Sequence, residues 1–447
     1  MSSPNPHSLG VALPIATFLA GVLSITTAHG MLQNTNYDES KVPAFELPAV
    51  LQREDGKAVQ TYDDWSKLRR PEILELFRQH VYGRVPDVPF ETEFEIVESD
   101  DDANPPVPGA LRRQVNLKVR ANGQKKVFRM LIYLPQQSDG PVPCFLSLNF
   151  DGNHAIVDDP MVLVTDSWVR NLPDKGVTDH RTRESVRGMK TSRWPIEEIV
   201  RRGYGLATIY YGDIDPDYDD KFQNGVHPLL DQETPKGRSN DAWGSISAWA
   251  WGLSRAMDYF ETDQQINADR IALLGHSRLG KTSLWAGATD PRFAIVISNN
   301  SGCGGAALSR REFGETVARI NKVFPHWFCS NFHSYDERVN ELPVDQHLLI
   351  AAIAPRPVYV ASASSDRWAD PRGEFLALKE ASPAYALSGH SDLSKTEMPP
   401  VNVSIGQQMG YHLRQGKHDV TPFDWQCFMD FADRHFSTDK ETDDENL

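Results

Sequence analysis

A side-chain hydroxyl becomes a nucleophile when a base takes its proton and an acid orients the base. The hydroxyl candidate here is Ser277, in Leu273-Leu274-Gly275-His276-Ser277-Arg278-Leu279-Gly280-Lys281. The stretch approaches G-x-S-x-G, where flanking glycines let a strand and a helix pack around a strained serine. Gly275 stands two before Ser277, but Leu279 fills the second glycine's place and Gly280 comes one late. An apolar run (270–275) precedes the serine and a helix-like stretch (281–290) follows it, the setting a nucleophile elbow needs. The competing reading is an ordinary strand-to-helix turn serine.

Where such a turn presents the serine, the acid and then the histidine follow along the chain. His418, in Gly416-Lys417-His418-Asp419, stands on a loop just before the last helical stretch. His412 lies in a strand-like run, and His390 in a polar loop without flanking strand signal. Two strand ends lie between Ser277 and His418. The first carries Asn299-Asn300 and no carboxylate; the second carries Ser365-Asp366-Arg367-Trp368. A neutral amide cannot stabilise the imidazolium formed during attack, so Asp366 is favoured. Asp419 would have to fold back on its own neighbour, while Asp370 and Glu374 read as loop and helix-start residues. Arg278 would stand where an oxyanion forms, and Lys281, one turn on, would project toward the same pocket. Most Arg and Lys are solvated surface charges. Two cations crowning a buried strand end instead suggest an anionic or polyoxygenated substrate.

These residues need elements to hold them. The runs 144–150, 204–212, 270–275, 293–300 and 356–364 are short and almost continuously apolar. Such runs are strands buried on both faces, as in a parallel sheet with crossover helices. Before them, 110–121 and 125–135 meet at Ala-Asn-Gly-Gln, a hairpin signal. A helix opened by Pro71, with Ile73, Leu76 and Phe77 on its apolar side, is expected in 62–86. Residues 241–260 carry Ile246, Ala250, Leu253 and Met257 at helical spacing, a core helix. Thr421, Pro422 and Asp424 open a closing helix over 421–436. The polar segment 152–192 interrupts the alternation after a strand end, where substrate loops and lids sit.

The chain has 447 residues, 40% of them hydrophobic, with ten tryptophans, enough for a sizeable core. Its formal charge of −15 argues against nucleic acid or an anionic membrane surface as partner. Residues 9–28 are uncharged and end near Ala28-His29-Gly30, which reads as a secretory leader cleaved near residue 30, or as a retained anchor. The expected organisation is therefore a leader (1–30), one catalytic domain (31–436) and an acidic, disordered tail (437–447). Cys144, Cys303, Cys329 and Cys427 show no metal or redox spacing, and their pairing stays open. No cofactor is called for, and His347 and the other histidines lack metal-ligand spacing. The chain is expected to work as a monomer, secreted or periplasmic.

Taken together, Gly275-His276-Ser277-Arg278-Leu279-Gly280-Lys281 resembles the G-x-S-R-x-G-K signature of the glucuronoyl esterases, carbohydrate esterase family 15, especially bacterial members. The resemblance covers nearly the whole mature chain. It takes in Tyr82-Gly83-Arg84-Val85-Pro86, Asn149-Phe150-Asp151-Gly152-Asn153-His154 and Gly212-Asp213-Ile214-Asp215-Pro216-Asp217. Further on it includes Ser301-Gly302-Cys303-Gly304-Gly305 and Ala354-Pro355-Arg356-Pro357. It implies an α/β-hydrolase three-layer sandwich with a mostly parallel sheet, N-terminal hairpin strands and loop insertions around the site. It also implies hydrolysis of 4-O-methyl-glucuronate esters, which link glucuronoxylan to lignin alcohols. By position, Ser277 would be nucleophile, His418 base and Arg278 oxyanion donor; Lys281, Trp368 and Glu315 would contact the sugar. Two departures stand out. Asn300 replaces the glutamate many members carry before Ser-Gly, which sends the acid to Asp366. His276 and Asp419 replace the cysteines that fungal members have beside the serine and histidine, so that disulfide is absent.

An acetyl-xylan or related esterase on the same scaffold is the alternative, disfavoured because an acetyl group gives Arg278 and Lys281 nothing to hold. A catalytically silent carbohydrate-binding protein is disfavoured by the intact Ser277, Asp366 and His418 set.

Overall fold

Asn122 and Gly123 both adopt positive φ, 50° and 74°, the backbone that a two-residue type I′ turn demands. They join β2 (Ala110–Ala121) to β3 (Gln124–Pro135), and β1 (Glu91–Asp100), not foreseen from sequence, pairs antiparallel outside β2. The computed structural model describes residues 35–100, 106–231, 237–390, 393 and 396–437. The expected leader and the acidic tail beyond Ser437 lie outside these residues.

The hairpin strands extend a central sheet of β4 (Val142–Asn149), β5 (Gly205–Tyr210), β6 (Ile266–His276), β7 (Ile295–Asn299), β8 (Val358–Ala363), β9 (Ser404–Ile405) and β10 (Met409–Arg414). The order is β1-β2-β3-β5-β4-β6-β7-β8-β10-β9, with β5 through β10 parallel and the remaining pairings antiparallel. The apolar runs read as two-face-buried strands are these parallel strands. Every residue of β5, β7 and β8 is buried. Their side chains alternate between two cores. Leu273 and Val296 join one, while Ala272, Leu274, Ile295 and Ile297 join the other.

Helices cover both faces, giving the expected three layers. They are α1 (62–82), α2 (Ile196–Arg201), α3 (Ser245–Phe260), α4 (Arg278–Thr289), α5 (Gln346–Ala351), α6 (Pro371–Ala386) and α7 (Pro422–Phe436). Apolar residues of α1 and α3 to α6 share one core, and those of α2 and α7 the other. The Thr421–Asp424 capping box opens α7 as its sequence signals. Pro71 stands in the first turn of the regular α-helical part of α1, Arg70–Phe77, as its sequence signals. A Thr61–Asp64 capping box begins α1 earlier, at Tyr62. The π-helical turn Trp65–Arg69 just before Pro71 loosens the repeat where a proline ring would clash with the carbonyl four residues back.

Because β4 leads to β5 on one side and β6 leads to β7 on the other, the order in which strands are laid across the sheet reverses between β4 and β6. Ligands of open α/β sheets bind outside the carboxyl ends at such a reversal. Ser277 follows β6 at that place. The long segment after β4 carries only short 3₁₀ turns. Its base is drawn together by Gly188 N–H donating to the His154 carbonyl (3.0 Å) and Lys190 N–H to that of Ala155 (2.8 Å). No helix among the described residues is long and apolar enough to cross a membrane. All four cysteines are buried and free.

Candidate active site

Ser277 sits between β6 and α4 at φ 59° and ψ −129°, a conformation that costs a non-glycine residue about 1–3 kcal/mol. Its N–H donates to the Asn299 carbonyl (2.9 Å) and its own carbonyl accepts from Gly280 (2.9 Å) and Lys281 (3.2 Å). Both glycines of the sequence motif are forced by close approach. A Cβ on Gly275 would lie 1.9 Å from the Leu279 carbonyl oxygen, and one on Gly280 2.9 Å from Ser301 Cβ. The late glycine therefore serves the contact of α4 with the loop after β7. Leu279, in the usual place of glycine, is buried instead.

Asp366 follows β8 and His418 follows β10. Two backbone bonds hold their loops together: Ser364 N–H to the Arg414 carbonyl and Ser365 N–H to that of Gly416, both 2.8 Å. The result is a 2.6 Å contact between His418 Nδ1 and Asp366 Oδ2. Asp366 is 5% exposed at its side chain and His418 40%. The pairing holds the proton on Nδ1 and leaves Nε2 as the basic nitrogen. Asn300, at the end of β7, donates its amide to the same Asp366 oxygen (3.0 Å).

The competing residues have other partners. His412 bonds Asp424 (2.9 Å) and the Tyr359 hydroxyl (3.0 Å). Asp370 pairs with Arg311 (2.8 Å) and caps α6. Asp419 pairs with Arg193, just past the long segment (2.5 Å). Glu374 is fully buried and accepts from Ser301 N (2.7 Å), Gly302 N (3.0 Å) and Ser362 Oγ (2.6 Å). Burial pushes its carboxyl up to about 8. Glu374 thus braces the loop that bears Asn300.

Arg278, the first residue of α4, keeps an N–H that no helical carbonyl claims. Its guanidinium is tied to Asp217 and lies over Trp327 (4.7 Å), Phe324 (5.3 Å) and Phe150 (5.7 Å). Asp217 also accepts from Tyr211 Oη (3.0 Å), Trp327 Nε1 (2.7 Å) and Arg170 (3.4 Å), and meets His326 Nε2 at 3.0 Å. Burial raises its pKa, yet the bond with His326 and the charge of Arg278 hold the carboxyl well below the usual range. Sequence reasoning assigned Asp217 no role. Its signal was an aspartate-rich run immediately after an apolar strand; nothing in the sequence pointed to Trp327 or His326.

Lys281 does not stand free in the pocket. It is buried, its ammonium donates to the carbonyls of Ser301 and Cys303, and Glu315 lies 3.7 Å away. The Glu315 side chain is 8% exposed. Burial raises its carboxyl pKa, opposed by Lys281, Arg278 and the Trp368 side chain. Glu315 N–H donates to the Trp368 carbonyl (2.9 Å), which joins the two loops, and Trp368 stays partly exposed. The structure thus draws Lys281, Glu315 and Trp368 into one cluster beside Arg278.

A family model described as glucuronyl esterase of fungi matches residues 237–389. A carbohydrate esterase of an unknown prokaryotic organism is 48% identical over 403 residues, 90% of this chain and 92% of that protein. The solved structure of a promiscuous family 15 esterase from a marine bacterial metagenome superposes with a TM-score of 0.83. It is 48% identical and covers 90% of this chain and 100% of its own. A glucuronoyl esterase from Solibacter usitatus gives 0.82 at 41% identity, covering 89% of this chain and 100% of its own. With a strained serine at the elbow this sequence resembles, and with relatives matched over nearly their whole length, the chain belongs to carbohydrate esterase family 15, the glucuronoyl esterases.

Proposed function

We propose that this protein is a serine esterase hydrolysing esters of 4-O-methyl-glucuronate, of the kind that join glucuronoxylan to lignin alcohols. The observation that carries this reading is Arg278, fixed by Asp217 next to a strained serine on the same chain as the His418–Asp366 pair. In the reaction, Ser277 Oγ attacks the ester carbonyl while His418 Nε2 takes its proton. Arg278 offers its backbone N–H and guanidinium to the oxyanion, charge that exists only after attack. Collapse expels the alcohol, protonated by His418, and water then cleaves the acyl-enzyme by the same route. Glu315, Trp368 and the ammonium proton of Lys281 left over by its two carbonyl bonds hold the sugar. The family model and the Solibacter usitatus relative support a uronate acid side, and the uncharged segment 9–28 supports action outside the cytoplasm.

Rates on the methyl ester of glucuronic acid and on an acetylated sugar test the reading. The uronate ester should be the better substrate by kcat/KM. Preference for the acetylated sugar would turn the assignment to an acetyl-xylan esterase.

Arg278→Ala should lower kcat by about a hundredfold or more, the usual cost of a lost oxyanion donor. A pure rise in KM would mean that the guanidinium only binds substrate.

A further inference from the structure

The imidazole of His276 lies against that of His418, with ring centroids 4.5 Å apart and planes inclined by 39°. His276 is itself fixed. Asn299, fully buried at the end of β7, places its amide nitrogen 3.0 Å from His276 Nδ1 and 3.0 Å from the Asp419 carbonyl oxygen. The opposite amide orientation would set two oxygens against each other at Asp419, so the NH₂ group faces both partners. An amide nitrogen only donates; His276 Nδ1 therefore accepts, and the proton of the ring sits on Nε2. Burial, with His418, Arg193 and Arg414 nearby, keeps this imidazole well below the usual histidine range, and so neutral.

One side chain thus links the residue before Ser277 to the residue after His418. We propose that Asn299 and His276 are positioning residues for the general base: Asn299 fixes both the His276 ring and the backbone at Asp419, and the His276 ring backs the His418 imidazole. The inference rests on His418 being that base. The stack prevents the half-exposed His418 ring from tilting away from Asp366. It also gives the imidazolium formed in each half-reaction a neutral aromatic neighbour instead of a second cation. The loop has a separate anchor. Arg414 donates to the carbonyls of Gln415 (3.0 Å), Lys417 (2.8 Å) and Asp419 (3.1 Å), and to Asp424 (3.0 Å). Loss of Asn299 therefore leaves the loop attached while freeing the ring.

The experiment compares Asn299→Ala, His276→Ala, His276→Phe and His418→Ala on a methyl glucuronate ester, with melting temperatures for each. A base held about 1 Å out of place loses up to about a hundredfold in rate. Asn299→Ala and His276→Ala should each lower kcat by about tenfold or more with KM within about twofold. His276→Phe, which keeps a ring in the stack, should recover part of the loss. The low-field NMR resonance of the proton between His418 and Asp366 should shift or broaden in both alanine variants. If kcat stays within about twofold and the resonance is unmoved, the proposal is overturned, whether or not the melting temperature falls. If His418→Ala remains active, the assignment of the base fails instead. If His418→Ala is dead while His276→Ala is normal, only the positioning role is lost.

Discussion

Ser277→Ala is expected to lower kcat/KM on a glucuronate ester by about three powers of ten or more. Members of a serine–histidine–acid set act as a unit, so loss of the nucleophile removes nearly all that the set contributes. What survives is the part supplied by Arg278 and by substrate binding. The variant should also separate chemistry from folding. Alanine at φ 59° carries much the same backbone strain as the serine it replaces, and Ser277 anchors the turn through backbone groups. Its melting temperature should therefore match the wild type. A serine-directed phosphonate should label the wild type once and the variant not at all. Retention of more than about a tenth of the activity would move the nucleophile elsewhere.

Asp366→Asn should be similarly severe. In serine proteases the corresponding change costs about four powers of ten, because the amide favours the wrong imidazole tautomer. Here Asn300 already donates to the Asp366 oxygen that meets His418 Nδ1. A second amide at 366 leaves the ring facing neutral groups only, with no charge to balance the imidazolium. The same contact shows that position 300 reaches the acid's location. Asn300→Glu placed on Asp366→Asn should therefore recover part of kcat/KM, measured for single and double variants at one pH. Near-normal activity in Asp366→Asn would sink the assignment. No recovery in the double variant would show that the two strand ends do not serve the same face of the histidine.

Much of this site could be read along the chain because its parts are local. An apolar strand, a glycine-flanked serine and a histidine before a capped helix each leave a pattern within about ten residues. The contact of Asp366 with His418 was legible by elimination, since only one strand end in the right interval carried a carboxylate. What stayed hidden depends on distant pairings. Asp217 and Arg278 meet from different strand ends, and Asn299 couples two loops through one amide. Lys281 looked available because helical spacing places it one turn past Ser277. Spacing carries no information about the Ser301 and Cys303 carbonyls that take two of its three protons. Pro71 marked the first turn of the regular helix Arg70–Phe77, but the π-helical turn ahead of it has no sequence signature.

The long segment after β4 is cinched at its root, where Gly188 and Lys190 bond back to His154 and Ala155. Beyond that root the segment still leans on the sheet: Leu163 N–H donates to Gln114 of β2 (2.8 Å), Tyr210 of β5 donates to the Trp168 carbonyl (2.7 Å), and Arg170 reaches Asp217 (3.4 Å). Arg193, just past the root, adds another tie, because its partner Asp419 adjoins His418. A designer grafting loops between relatives therefore has most freedom at the exposed turn 173–176. Once a loop's ends are fixed, doubling its length costs only about 0.6 kcal/mol. An exchange that takes in Arg170 or Arg193 reaches the residue that holds Arg278 or the one that adjoins His418.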